Sequence, residues 1–167
     1  MNSQLKWTYQ DHPLTISYFE RLSSQDHAPN LIYLHGGACS KEDFFQATEQ
    51  RALQDYHLLA FDFPGCGHSP YPDGACFSVD DLVAITQKMI QKLQVKRYII
   101  VGHSLGGLIA LLCIQSDPKA VAFINVEGNL APENCLFSKR VSMQSFEEFH
   151  NKAEANLLKS CEMSQNT

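Results

Sequence analysis

The sequence predicts an α/β fold: a doubly wound, mostly parallel sheet preceded by a small N-terminal hairpin. Three observations carry that expectation. Short apolar runs stop abruptly at glycine or proline, in NLIYLHGG (30–37), HLLAFDFPG (57–65) and YIIVGHSLGG (98–107), as strands buried on both faces do. Stretches with apolar residues at helical spacing separate the runs, so strand and helix alternate as βαβ units. Ahead of them, LKWTYQ (5–10) and LTISYFE (14–20) are rich in aromatic and β-branched residues and flank Asp11-His12-Pro13, which reads as an antiparallel hairpin.

The elements follow in order. A polar loop, RLSSQDHAPN, leads to a central strand whose apolar run is Leu31 to Leu34. Ser40, three residues before Asp43, forms a variant capping box and opens an expected helix over about 41–54 carrying Phe44, Phe45, Ala47 and Leu53. The next strand, HLLAF, ends where Pro64 and Gly65 force a turn. Ser78-Val79-Asp80-Asp81 then starts a helix with Leu82, Ile85, Met89, Ile90 and Leu93 on one face, a core stripe. Residues 96–103 form a third buried strand, Leu105 to Gln115 a helix stopped by Asp117-Pro118, and residues 120–128 a further strand. Beyond it the character changes. A loop, LAPENCLFSKRVSMQ, precedes a helix from about 146 with Phe146, Phe149, Ala153 and Leu157 on one side.

Bulk properties exclude several functions. A length of 167 residues, 44% of them hydrophobic and 19% charged, suits one globular domain with a real core. The net charge of −5 is spread along the chain without a basic block, so neither nucleic acid nor an anionic membrane is an expected partner. The N-terminus lacks an apolar core behind a basic start, and no run reaches the roughly 18 residues of a membrane span, which suggests a cytoplasmic protein. Six cysteines are scattered without a Cys-x-x-Cys or Cys/His cluster; reduced thiols are expected, with no metal and no cofactor.

The chemistry centres on Gly102-His103-Ser104-Leu105-Gly106. This G-x-S-x-G pattern lies between an expected strand and an expected helix, where a cramped turn lifts the serine above the sheet edge. Glycines two residues to either side let the two backbones come close enough for that turn. Here the sequence resembles the α/β-hydrolase family, over roughly residues 5–135. His35-Gly36-Gly37 ends the first central strand, where the family places an oxyanion-hole loop. Asp62-Phe63-Pro64-Gly65-Cys66-Gly67-His68-Ser69 fits its D-x-P-G-x-G-x-S turn, and Gly102 to Gly107 is a common form of its nucleophile elbow.

The resemblance implies Ser104 as nucleophile and the backbone N–H groups of Gly37 and Leu105 as oxyanion donors. His35 is then a loop-orienting residue, and the Asp62–Ser69 segment a structural turn. In chain order the family's acid and histidine follow the serine. Glu127, 23 residues after Ser104 at the end of the 120–128 strand, is the candidate acid, with a structural or substrate-orienting role as the alternative. Downstream of it only His150 remains, within a segment resembling the start of the family's cap, and it reads as a cap or solvent residue. Residues 1–128 thus resemble the N-terminal part of the hydrolase core, residues 129–167 the start of a helical cap, and the chain a hydrolase truncated after its sixth strand.

Two readings follow. One is a serine hydrolase of a small ester, thioester or related carbonyl compound. The other is a catalytically incompetent or purely binding protein that lacks the catalytic histidine. In either case the 120–126 strand is expected to present an apolar edge, open to self-association or to a complementing chain.

Overall fold

The computed structural model describes residues 3–25, 27–115, 117–128 and 130–131. All of these but Ala131 belong to one compact unit spanning residues 1–130, and a second unit begins at Ala131. The helix expected from about 146, and His150 within it, lie outside the described residues.

Strand β1 (Ser3–Tyr9) pairs antiparallel with β2 (His12–Arg21). The loop between them is only Gln10-Asp11, both at positive φ (47° and 64°), the backbone of a two-residue primed turn whose twist matches that of the strands. The hairpin is therefore tighter than the sequence suggested. His12 and Pro13 join the ladder, with Pro13 near the strand start, where its missing N–H is tolerated.

Four parallel strands complete the sheet: β3 (Asn30–Leu34), β4 (His57–Phe61), β5 (Tyr98–His103) and β6 (Ala120–Val126), in the order β1-β2-β4-β3-β5-β6. The period of two along each strand sorts the core into two layers. Ile32, Leu34, Leu59, Phe61 and Ile100 face helices α1 (Val79–Lys92) and α2 (Leu105–Ile114), meeting Ile85, Met89, Ile90, Ile109 and Ala110. Leu31, Tyr33, Leu58 and Ala60 face the other way, against Phe44, Ala47 and Leu53. Each fully buried Leu or Ile contributes about 1.5–3 kcal/mol.

Ser78 caps α1 as expected. Its side chain accepts from Asp81 N–H while the Asp81 carboxylate accepts from Ser78 N–H at 2.8 Å, a complete capping box. The helix expected over 41–54 is instead two 3₁₀ segments, Lys41–Glu49 and Arg51–Leu53, and Ser40 makes no side-chain cap. The reason lies in the spacing of the inward residues. Lys41, Phe44 and Ala47 fall three apart, the period at which 3₁₀ side chains eclipse, so the first segment turns all three inward; the extended Gln50 breaks the coil, and the second segment brings Leu53 in separately.

Candidate active site

Strand β5 ends at His103 and α2 begins at Leu105, leaving Ser104 alone to make the turn, at φ 51° and ψ −116°. That backbone is costly for a residue with a side chain and persists only where its surroundings enforce it. Glycine does the enforcing. A Cβ on Gly102 would strike the Gly106 carbonyl and lie 2.6 Å from the Gly107 Cα, and one on Gly106 would strike the Leu34 carbonyl. Strands β3 and β5 and helix α2 therefore meet closer than any side chain permits. Ser104 N–H donates to the Val126 carbonyl at 3.0 Å, which anchors the bend to β6, and the Ser104 carbonyl accepts from Gly107 N–H at 2.9 Å. The hydroxyl is half-buried and caps nothing in α2.

The loop after β3 lies against this bend. A Cβ on Gly36 would sit 2.9 Å from His103 Nδ1 and 3.2 Å from the Ser104 Cβ, so the missing side chain lets the loop come this near the serine without displacing His103. Gly37, next along, is exposed, and its N–H has no hydrogen-bond partner among the described residues. Leu105, first in α2, likewise has an N–H with no intrahelical partner. Ser104 thus stands at the positive end of α2, where the Leu105 N–H is open and the helix field favours negative charge.

His35 is fully buried, and its two nitrogens have separate tasks. Nδ1 lies 2.7 Å from the Gly36 carbonyl and must carry the proton, because Nε2 accepts from Phe63 N–H at 3.0 Å. Only neutral imidazole can do both. Burial enforces that state by pushing the His35 pKa below its usual value, against smaller opposing contributions from the Gly36 carbonyl and Asp62. The ring ties the loop after β3 to the turn after β4. In that turn Gly65 N–H donates to the Ser69 carbonyl at 2.8 Å, and Gly65 and Gly67 take positive φ.

Glu127 follows β6 directly. The register sets Val126 beside His103, so Glu127 leaves its strand level with Ser104, one strand over, exposed and at φ 52°. Like Ser104, it is a non-glycine residue in the left-handed region at this end of the sheet. Asn125 braces the same corner: a Cβ on Gly107 or on Gly128 would collide with its side-chain oxygen.

Among the described residues no side chain hydrogen-bonds to Ser104, and His150 lies outside them. A cleft of about 360 Å³ lined by His27, Asn30, His57, Lys96 and Arg97 sits at the opposite, N-terminal ends of β3, β4 and β5, remote from the serine. One residue that sequence reasoning passed over stands out near the loop, namely Lys41, whose side chain is wholly buried. A lysine at the start of an expected helix reads as solvent-facing, and nothing in its sequence neighbourhood marks it otherwise.

The model of the alpha/beta hydrolase fold family matches residues 29–149. Among curated proteins, the chain is 35% identical over 96 residues to a serine hydrolase-like protein of Danio rerio, which covers 57% of this chain and 29% of that one. It is 37% identical over 107 residues to a probable lysophospholipase of Arabidopsis thaliana, covering 62% and 25%, and 25% identical over 129 residues to a proline iminopeptidase of Lactobacillus helveticus, covering 75% and 44%. The chain thus spans less than half the length of these relatives. Among solved structures, a probable hydrolytic enzyme of Pseudomonas aeruginosa superposes with a TM-score of 0.72 at 23% identity, over 77% of this chain and 42% of the other. With the family's match extending over most of the chain and the elbow, the loop and the strand order in place, this protein belongs to the alpha/beta hydrolase fold family.

Proposed function

We propose that Ser104 is the nucleophile of a serine hydrolase acting on a small ester, thioester or related carbonyl compound. The observation that carries this reading is the enforced bend at Ser104 at the start of α2, with the Gly36-Gly37 loop packed against it; in this reading the N–H groups of Leu105 and Gly37 are the oxyanion donors. Attack of Ser104 Oγ on a carbonyl carbon converts the carbonyl oxygen to an oxyanion. Each N–H that meets this charge in a rigid, partly dry site contributes about 2.7–4 kcal/mol at the transition state. Collapse expels the alkoxide or thiolate and leaves an acyl-serine, which water then cleaves. Glu127 is the acid of the arrangement, placed to orient an imidazole at the same sheet edge. The relatives' names, a lysophospholipase and an iminopeptidase, support acyl chemistry.

The proton of Ser104 needs an acceptor, and no described histidine supplies one. With the oxyanion hole and binding alone, a residual acceleration of about 10³–10⁴ over water is expected. A second reading, a binding protein that keeps the fold without turnover, is favoured by that missing contact. Cleavage of p-nitrophenyl acetate by the purified chain separates the two: release of nitrophenol that disappears in Ser104→Ala supports the hydrolase, and equal background rates in both chains support the binding protein. The side of β6 that no described strand pairs belongs to the same proposal, as the place where a second copy or a complementing chain adds a strand.

A further inference from the structure

Lys41, Glu42, Asp62 and His68 form a cluster beneath the loop after β3 that the proposed chemistry does not use. One ligand-capable atom from each of Glu42, Asp62 and His68 lies within 4.8 Å of the others, a spacing that would suit a cation. A cation is already there. The Lys41 ammonium donates to Asp62 Oδ2 at 2.7 Å and to Glu42 Oε1 at 2.7 Å, and stands 3.4 Å from His68 Nδ1. Partial burial opposes ionisation of Glu42, but the hydrogen bonds from Lys41, Ser40 and the backbone outweigh it and hold its carboxyl down to about 2.

Asp62 uses both carboxylate oxygens. Oδ1 accepts from Lys41 N–H at 2.8 Å, and Oδ2 accepts from the Lys41 ammonium and, at 2.8 Å, from His68 N–H. Its own backbone is equally committed, with N–H donating to the Ser17 carbonyl at 2.9 Å and the carbonyl accepting from Ser69 Oγ at 3.0 Å. The carboxylate sits so close over Gly67 that a Cβ there would lie 2.5 Å from Asp62 Cγ. Asp62 is thus a fixed post at the end of β4.

The loop carrying Gly36 and Gly37 is bound to that post region at both ends: at its start through His35 Nε2 to Phe63 N–H, and at its close through Lys41 to Asp62. Between these ties Ala38 takes φ 58° and Cys39 N–H donates to the Gly36 carbonyl at 3.3 Å, so few other bonds hold the segment's shape. A buried ion pair is a weak source of stability compared with apolar packing, but it fixes geometry, because both charges must stay together in the dry interior.

We infer that Lys41 is a positioning residue, whose buried pair with Asp62 fixes the Gly36-Gly37 loop at the distance from Ser104 that an oxyanion requires. This rests on the serine-hydrolase reading for its consequence, though not for its geometry. Displacing such a donor by about 1 Å costs on the order of 10²-fold in rate.

The test uses the full chain as Lys41→Met and as the charge-balanced pair Lys41→Met/Asp62→Asn. Three quantities are measured on each: the urea midpoint, amide hydrogen exchange at Gly36 and Gly37 with Leu105 to Gly107 as reference, and the rate of Ser104 acylation by a fluorophosphonate. The single variant leaves a buried carboxylate unpaired and loses stability; the double recovers a midpoint near wild type. In the double, exchange at Gly36-Gly37 is nonetheless expected to quicken by about tenfold or more, and acylation to slow by about 10–100-fold, with the elbow reference unchanged. Recovery of both loop exchange and acylation along with the midpoint overturns the proposal, as does a double variant that fails to fold, since the pair would then be a requirement of folding alone. A wild-type chain inert to the probe refutes the nucleophile reading instead, and loop exchange in the double variant still decides the role of Lys41.

Discussion

His35 shows how one residue can be legible in type and hidden in consequence. The family resemblance implied a loop-orienting group rather than a base, and full burial between Gly36 and Phe63 agrees with that role. The sequence could not show that it must stay neutral. Because burial lowers its folded pKa below the usual 6.5, the unfolded chain takes up a proton first as pH falls. Stability from this group is complete above about 6.5 and declines below it, through the window down to the lowered folded value. Urea midpoints at pH 8 and pH 5.5 check this: a lower midpoint at 5.5, with a shallower loss in His35→Asn, is expected. Equal wild-type midpoints would show that His35 protonates as easily folded as unfolded. Lys41 was illegible for a related reason, since its burial is created by Asp62, 21 residues away, and pairing across such a span leaves no local pattern.

Elements differ in how openly the chain announces them. The strands β3, β4 and β5 were visible because double-sided burial demands unbroken apolar runs, and glycine or proline marks each end. Helix α1 was visible because Ser78 and Asp81 satisfy two end N–H groups reciprocally. Ser78→Ala is expected to lower stability by about 0.5–2 kcal/mol, read as a shift in urea midpoint without a change in slope; an unaltered midpoint would show that the cap carries no energy. The 3₁₀ segments were misread as one helix. Phe44 and Ala47, three apart, fit a period of 3.0 or of 3.6, whereas Leu53, nine residues after Phe44, would fall on the opposite side of an α-helix; the extended Gln50 breaks the coil and the second segment turns Leu53 inward. Glu127 is a similar case: its position at a strand end was readable, whereas its positive φ follows from how β6 leaves the sheet.

At the scale of the whole molecule, the sheet formed by the described residues runs from β1 at one edge to β6 at the other. β1 at the first edge alternates exposed and half-buried residues and carries Lys6. β6 at the other has no charge along Ala120–Val126, and Val121, Ile124 and Val126 are 47%, 48% and 44% exposed. An uncharged edge of this kind is a template for another strand. Concentration-dependent self-association is expected in sedimentation velocity and is expected to weaken in Ile124→Lys, which places a charge on the edge; a chain monomeric at all concentrations would show that the edge is not used by a second copy. No helix among the described residues is long and apolar enough to cross a membrane.

What the molecule brings together, from three strands far apart in sequence, is Ser104, the Gly36-Gly37 loop and Glu127 at one end of a parallel sheet. Order and spacing made that convergence readable, because glycine at 102 and 106 is where close backbone approach is compulsory, and glycine at 36 lets the loop pack on the side chains of His103 and Ser104. Peptide mapping by mass spectrometry after exposure of the chain to a fluorophosphonate tests it most directly. A phosphonyl adduct on the peptide containing Ser104, missing in Ser104→Ala, is expected; an intact Ser104 peptide, or modification that persists in Ser104→Ala, would contradict the assignment of this serine as the nucleophile.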